Sequence, residues 1–189
     1  MIQIVWFKRD LRVEDHEALG SAAGHGPVLP LYIVEPDLWR QPDSSARQWA
    51  FYRECLDALR DALAALGQPL VIRRGDAACV LRDLVRSHAV TGVWSHQETG
   101  NAWSFARDRA VAAMLREEGV PWHQPRQHAV VRGRCDRDAW SKQWERLMLQ
   151  ARFEPPALRP LRDIDPGNLP SIPHEGFHPD VCPGRQSGG

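Results

Sequence analysis

Behind the apolar run Ile2–Phe7 stands a turn dense in charge: Lys8, Arg9, Asp10, Leu11 and Arg12, followed by Glu14, Asp15 and His16. Three further short segments carry similar groups: Glu35–Asp37, Gly75–Asp76 and Gln97–Asn101, with Trp103 just beyond the last. Carboxylates, guanidiniums and amides of this kind hydrogen-bond the polar edge of a heterocycle, and an indole stacks on its face. The candidate binding residues are therefore Arg9, Asp10, Glu35, Asp37, Gln97, Glu98, Asn101 and Trp103. No nucleophile–base–acid triad accompanies them, so the chemistry they suit is binding and no residue is predicted as catalytic. Structural readings of the same residues stay open. Asp10 with Arg9 and Arg12 also fits a salt-bridged turn at a domain junction, and Asn101 also fits a helix cap.

Other site signatures are weaker. The turn after the first apolar run has no glycine, so it is not a G-x-G-x-x-G dinucleotide fingerprint, and no G-x-x-x-x-G-K-[ST] phosphate loop occurs. Gly24-His25-Gly26 reads as a turn only. His174, His178 and Cys182 are spaced H-x3-H-x3-C but lie among prolines without a fourth ligand, so no metal site is predicted. Arg132, Arg134 and Arg137 cluster, but Asp136 and Asp138 interrupt them, as on a solvated face.

The elements that must position these groups alternate. Strands are predicted at Ile2–Phe7, Val28–Val34, Leu70–Arg74, Val90–Ser95 and Pro121–Gln124, as continuous apolar runs of the kind that parallel sheets bury on both faces. Trp49, Tyr52, Leu56, Leu59, Leu63 and Leu66 step by three or four and predict a helix, opened by a Ser45/Gln48 capping box and stopped by Gly67. Asp76 caps a second helix with Val80, Leu81, Leu84 and Val85 inward; Trp103, Ala106, Ala110, Ala113 and Met114 mark a third, ended by Gly119. A last helix follows Arg137, with Trp140, Trp144 and Leu147 on one side. The order predicts an α/β fold: a Rossmann-like, doubly wound, five-stranded parallel sheet in three layers. Ligands in such sheets sit beyond the carboxyl ends of the strands, where the four charged segments fall.

The 189 residues divide into a domain over 1–150 and a linker over 151–189, where eight of the fifteen prolines lie between Pro155 and Pro183. Twenty-four basic residues balance 24 acidic ones, which gives no electrostatic reason for tight autonomous nucleic-acid binding. Four scattered cysteines, no apolar run approaching about 18 residues, and an amino terminus whose charge follows its apolar stretch predict a cytoplasmic chain without membrane attachment.

Several segments resemble one family. Trp6-Phe7-Lys8-Arg9-Asp10-Leu11-Arg12 with Asp15-His16 and Ala18-Leu19 is similar to the W-F-R-x-D-L-R…D-N/H-x-A-L opening of photolyases and cryptochromes, with Lys8 in place of the usual Arg. Leu31–Pro36 resembles the family's second-strand segment and Ser45–Phe51 its S-x-R-Q-x-x-F helix start. Arg107-Asp108 matches the R-D of its fourth helix, and Gln127–Val131 and Cys182–Gly189 resemble segments before its crossover and its helical domain. The resemblance implies the N-terminal antenna domain of a deoxyribodipyrimidine photolyase, which repairs pyrimidine dimers in DNA with light. Its partners would be damaged DNA and its own helical domain, which binds FAD and is absent here; this fragment alone would be inactive. The antenna pigment it implies is a folate, a deazaflavin or a second flavin, or none. Trp103 and Ser104 stand where folate-binding members carry Asn-Glu, which counts against folate, and filling the pocket is a second reading of Trp103. A blue-light photoreceptor of the cryptochrome type and a free-standing small-molecule-binding α/β domain are the alternatives. A docking face for the helical domain is predicted around Trp39, Trp103 or Trp140.

Overall fold

The chain alternates strands with helices, two helices standing between the second and third strands: β1 (Ile2–Phe7), α1 (Glu17–His25), β2 (Val28–Val34), α2 (Pro36–Trp39), α3 (Ala46–Ala65), β3 (Val71–Arg74), α4 (Ala77–Ser87), β4 (Val90–Trp94), α5 (Ala102–Glu117), β5 (Trp122–His123) and α6 (Arg137–Met148). The computed structural model describes residues 1–127, 137–179 and 187–188, with backbone alone at 137–139. All pairings are parallel, in the order β3-β2-β1-β4-β5. This is the predicted doubly wound sheet, and its strand order reverses between β1 and β4.

Alternate residues of each strand serve opposite faces. Val5 and Phe7 join Val34, Leu70 and Ile72 under α1 (Ala18, Leu19, Ala22) and α3 (Trp49, Leu56, Leu59, Leu63). Ile4 and Trp6 join Leu29, Leu31 and Val93 under α4 (Leu81, Leu84) and α5 (Val111, Met114, Leu115). Two cores on one sheet make the three layers. The helix starts follow local chemistry. Ser45 accepts from the Gln48 N–H at 3.2 Å while the Gln48 side chain accepts from the Ser45 N–H at 2.8 Å, closing the capping box. Asp76 accepts from the Cys79 N–H at 3.0 Å and Asn101 from the Ser104 N–H at 3.0 Å. Ser45→Ala is expected to lower stability by about 1 kcal/mol, read as a shift of the urea midpoint at constant slope. An unchanged midpoint would count against the cap.

Three expectations need correction. Helix α1 was not anticipated, because its cap is His16, whose Nδ1 accepts from the Leu19 N–H at 3.0 Å. The inner face of α5 is Ser104, Arg107, Asp108, Val111, Met114 and Leu115, and Ala106, Ala110 and Ala113 face outward. An ion-paired Arg and Asp can be buried when their charges are matched, and here they displace the apolar stripe. Trp39 is 7% exposed and packs edge-on against Trp49 and Tyr52, so it is core and not docking face.

After α6 the described residues form no helix or strand, but they are not loose. Leu158 is buried in the α1/α3 core and its N–H donates to the Leu66 carbonyl. The outer edge of β3 is closed when the Ile72 N–H donates to the Pro166 carbonyl at 2.7 Å. Two glycines admit this strap. A Cβ on Gly67 (φ +113°) would lie 2.4 Å from the Leu158 carbonyl oxygen, and one on Gly167 (φ +69°) would lie 2.4 Å from that of Ile72. Cys182, most of the Gln127–Val131 segment, the Arg132/Arg134 cluster and most of Cys182–Gly189 lie outside the described residues.

Candidate functional site

The carboxyl ends of β1 and β4 lie side by side at the strand-order reversal, where open α/β sheets form their crevice. Two linked constellations fill this end of the sheet. The first is an ion-pair network around Arg107 of α5. Its guanidinium donates to Glu35 at 2.9 Å, to Glu98 at 2.5 Å and, through two nitrogens, to Asp108 at 3.1 and 2.9 Å. Arg9 reaches the second oxygen of Glu98 at 2.9 Å, and the Lys8 ammonium stands 3.8 Å from Asp108. Three cations (Lys8, Arg9, Arg107) thus face three carboxylates (Glu35, Glu98, Asp108). Arg107 also lies over the rings of Trp6 and Trp103, and Lys8 over Trp6 and Trp122.

Burial pushes the Glu35 carboxyl up to about 7 against the pull of Arg107. Glu98 feels the same burial, but Arg107, Lys8 and Arg9 together hold it below the ordinary carboxylate range. Desolvation lowers the Lys8 ammonium despite Asp108 and Glu98.

The second constellation centres on Asp10. One carboxylate oxygen accepts from the Lys8 N–H at 3.0 Å; the other lies 2.5 Å from Nδ1 of His96 and 2.9 Å from Nε2 of His16. Burial opposes ionisation of Asp10, but contacts from His16 and His96 outweigh it and hold the carboxyl well below its usual range. Burial lowers His16. Candidate ligand atoms of these three buried residues lie within 4.8 Å of one another, close enough for a metal on distance alone. Their protons argue otherwise. Because Nδ1 of His16 accepts from Leu19, its proton sits on Nε2, the atom that faces Asp10. The trio is a carboxylate with His96 Nδ1 as donor and the Nε2–H of His16 within ion-pair distance.

The eight candidate residues therefore separate. Arg9 is half exposed and lines clefts on both its sides. One cleft, about 200 Å³, is lined by Lys8, Asp10, His96, Gln97, Glu98 and Gln127; the other, about 230 Å³, by Leu38, Trp39, Asp43, Ser44, Gln48 and Tyr52. Glu98 lines the first of them, and Glu35 lies with Glu98, Arg9 and Arg107 around a smaller pocket beside them. Asn101 is the α5 cap and also donates to Asp43 at 3.0 Å, so it ties one rim to the next. Trp103 lies half-buried over Arg107. Asp37 stands apart on the surface, paired with Arg40 at 2.7 Å. The salt-bridged turn of Asp10 with Arg9 and Arg12 does not form: Arg9 goes to Glu98, and Arg12 donates to the Glu14 and Asp15 carbonyls. His16 and His96 were missed as site residues: His16 lies six positions after Asp10, but His96, the partner that completes the group, is 86 positions from it.

Helix α6 exposes Trp140, Trp144 and Met148, with Trp140 46% exposed, and its Leu147 and Met148 line a cleft shared with His96. No helix among the described residues is long and apolar enough to cross a membrane.

Comparison with known proteins agrees with this geometry. A sequence model of a family described as DNA photolyase matches residues 3–137. Over 121 residues the chain is 40% identical to a deoxyribodipyrimidine photo-lyase of Agrobacterium fabrum, an alignment covering 62% of this chain and 24% of that protein. It is 37% identical over 121 residues to Cryptochrome-1 of Sinapis alba, covering 62% of this chain and 23% of the relative. The crystal structure of a class III photolyase from Agrobacterium tumefaciens superposes with a TM-score of 0.68 at 27% identity, over 85% of this chain and 35% of that one.

Proposed function

The chain belongs to the DNA photolyase family, and from that premise we propose that it forms the light-harvesting domain of a deoxyribodipyrimidine photolyase. The relatives are about four times longer than the matched region, and we assign light-driven repair of pyrimidine dimers in DNA to the full-length protein. FAD is held there by a helical domain outside this chain. The present chain contributes the pigment crevice and, through the apolar side of α6, a surface for that helical domain. On this reading residues 1–150 are the antenna domain and 151–189 the segment that leads on from it.

The observation that carries the reading is the pair of clefts meeting at Arg9, at the strand-order reversal of a family member. They fit a planar heterocycle with polar edges. Among the described residues the indole N–H of Trp39 has no acceptor beside one cleft, and the buried Lys8 ammonium has none within hydrogen-bond distance beside the other. Arg9, Gln97 and Gln48 offer donors, and Tyr52 and Trp39 offer ring faces. A bound pigment supplies absorbed light energy that passes to the flavin by distance and orientation. The protein's part is to hold the ring still and dry, for which the packed ion network beside it provides a rigid support.

Titration of the purified chain with riboflavin, a deazaflavin and a methenylated folate tests this. One of them is expected to bind with one pigment per chain, seen as quenched fluorescence and a shifted absorption band. Blue light with the chain and FAD alone is expected to leave dimers in DNA intact. Saturable binding of none of the three would sink the antenna reading, and dimer splitting by the chain alone would sink the division of labour. The similarity to Cryptochrome-1 favours a second reading, a photoreceptor. A full-length protein that binds FAD and responds to light without repairing DNA would establish it.

A further inference from the structure

The Asp10 constellation fixes more than a fold. Nδ1 of His96 lies 2.5 Å from an Asp10 oxygen held ionised by its histidine contacts, so Nδ1 carries a proton, and the neutral imidazole keeps its lone pair on Nε2. Among the described residues no hydrogen bond reaches Nε2. His96 is buried, yet it lines the cleft of about 200 Å³ as well as a neighbouring one of about 270 Å³. His16, 2.9 Å from the same carboxylate oxygen and packed with its ring tilted 52° at 4.4 Å between ring centres, hinders the imidazole from turning over. The cleft thus presents one oriented acceptor. Around it stand the buried Lys8 ammonium, which has no hydrogen-bond acceptor among the described residues, the Arg9 guanidinium, the amides of Gln97 and Gln127, which can be turned to donate, and the Glu98 carboxylate, whose two oxygens are already engaged by Arg9 and Arg107.

An acceptor flanked by donors is complementary to a ring N–H flanked by carbonyls. We infer that His96, held by Asp10, accepts a hydrogen bond from the lactam N–H of the pigment ring, while Lys8 and Arg9 receive the adjoining carbonyl oxygens. This rests on the antenna reading and adds which edge of the ring enters, and on which side of Arg9. Flavins, deazaflavins and pterins share a lactam N–H beside a carbonyl, so the shared chemistry is that edge. An aromatic ligand without a ring N–H is disfavoured in the cleft, because the lone pair of His96 would be left facing carbon.

Two measurements test it. In the first, riboflavin is compared with its analogue methylated on the nitrogen between the two carbonyls, with a deazariboflavin and a methenylated folate titrated in parallel to identify the ring system. Methylation is expected to weaken binding about tenfold or more, the loss of one hydrogen bond with a buried acceptor left unpaired. In His96→Phe, and in His96→Asn as a smaller replacement, parent and methylated ligands should bind alike, with circular dichroism confirming the fold. Equal binding of both ligands to the wild-type chain would overturn the inference while leaving the antenna reading intact. Failure of every ring system to bind would overturn both. In the second, long-range proton–nitrogen NMR correlation on the labelled chain is expected to show His96 protonated on Nδ1 and His16 on Nε2, with the bare nitrogen of His96 shifting when ligand is added. A bare Nδ1 on His96 would overturn the assignment without any ligand present.

Discussion

Replacing Arg107 by Met is expected to lower the stability of the chain by about 3–5 kcal/mol, a large part of the 5–15 kcal/mol typical of a domain. The side chain is 4% exposed and its guanidinium satisfies three carboxylates at once. Met fills much of the same volume, so packing over Trp6 and Trp103 is largely kept. What is lost is the charge, and Glu35, Glu98 and Asp108 are then left buried with Lys8 and Arg9 alone. The network as a whole is a poor source of net stability, because desolvating every member offsets most of the attraction. Removing one member is different: the desolvation of its partners remains and its compensation does not. Arg107→Lys is expected to fall between, since an ammonium keeps the charge but cannot fork to Glu35, Glu98 and Asp108 together. Urea unfolding at neutral pH measures both. A midpoint for Arg107→Met equal to wild type would show that the carboxylates are satisfied by something else.

The second large effect is one of pH. The Glu35 carboxyl titrates near 7 in the folded chain against 4.5 for an ordinary glutamate, because burial disfavours its charge. Between those two values the folded state holds a proton that the unfolded state has released. Stability contributed by Glu35 is therefore full below about 4.5 and is lost as pH rises through about 7, a total of about 3 kcal/mol. His16 acts in the opposite sense, since burial lowers it, and its contribution is lost as pH falls below the ordinary value of 6.5. The wild-type profile mixes the two. Glu35→Gln separates them, because the amide still accepts from Arg107 and has no proton to release. Relative to wild type, this variant should gain stability progressively from acid to neutral pH and hold the gain above it. A difference between the two proteins that is flat with pH would remove Glu35 as a titrating group of the network.

The five strands were legible because each is a short apolar run bounded by polar turns, and burial on both faces demands that pattern wherever the strand sits. Helix starts were legible where the cap is a serine, aspartate or asparagine two or three residues before its N–H donor, as at Ser45, Asp76 and Asn101. Local bonds leave local signatures. His16 does the same work with a side chain rarely used for it, and α1 went unread in consequence. On α5 the alanines made the more regular stripe, yet the buried face carries Arg107 and Asp108, whose burial is tolerable only because Glu35, Glu98 and Lys8 arrive from other elements.

The amino-acid sequence by itself determined the sheet, the family and the loops on which a ligand site would be built, because apolar periodicity and capping act over a few residues. Which of the charged residues in those loops remain available was decided only by tertiary structure. Asp10 and His96 stand 86 positions apart and meet because the chain crosses back after β3 to lay β4 against β1. The same crossing spends Glu35 and Glu98 on Arg107 and leaves Asp37 to Arg40. A charge is free or committed according to what lies within a few ångströms of it, and that distance is set by the fold.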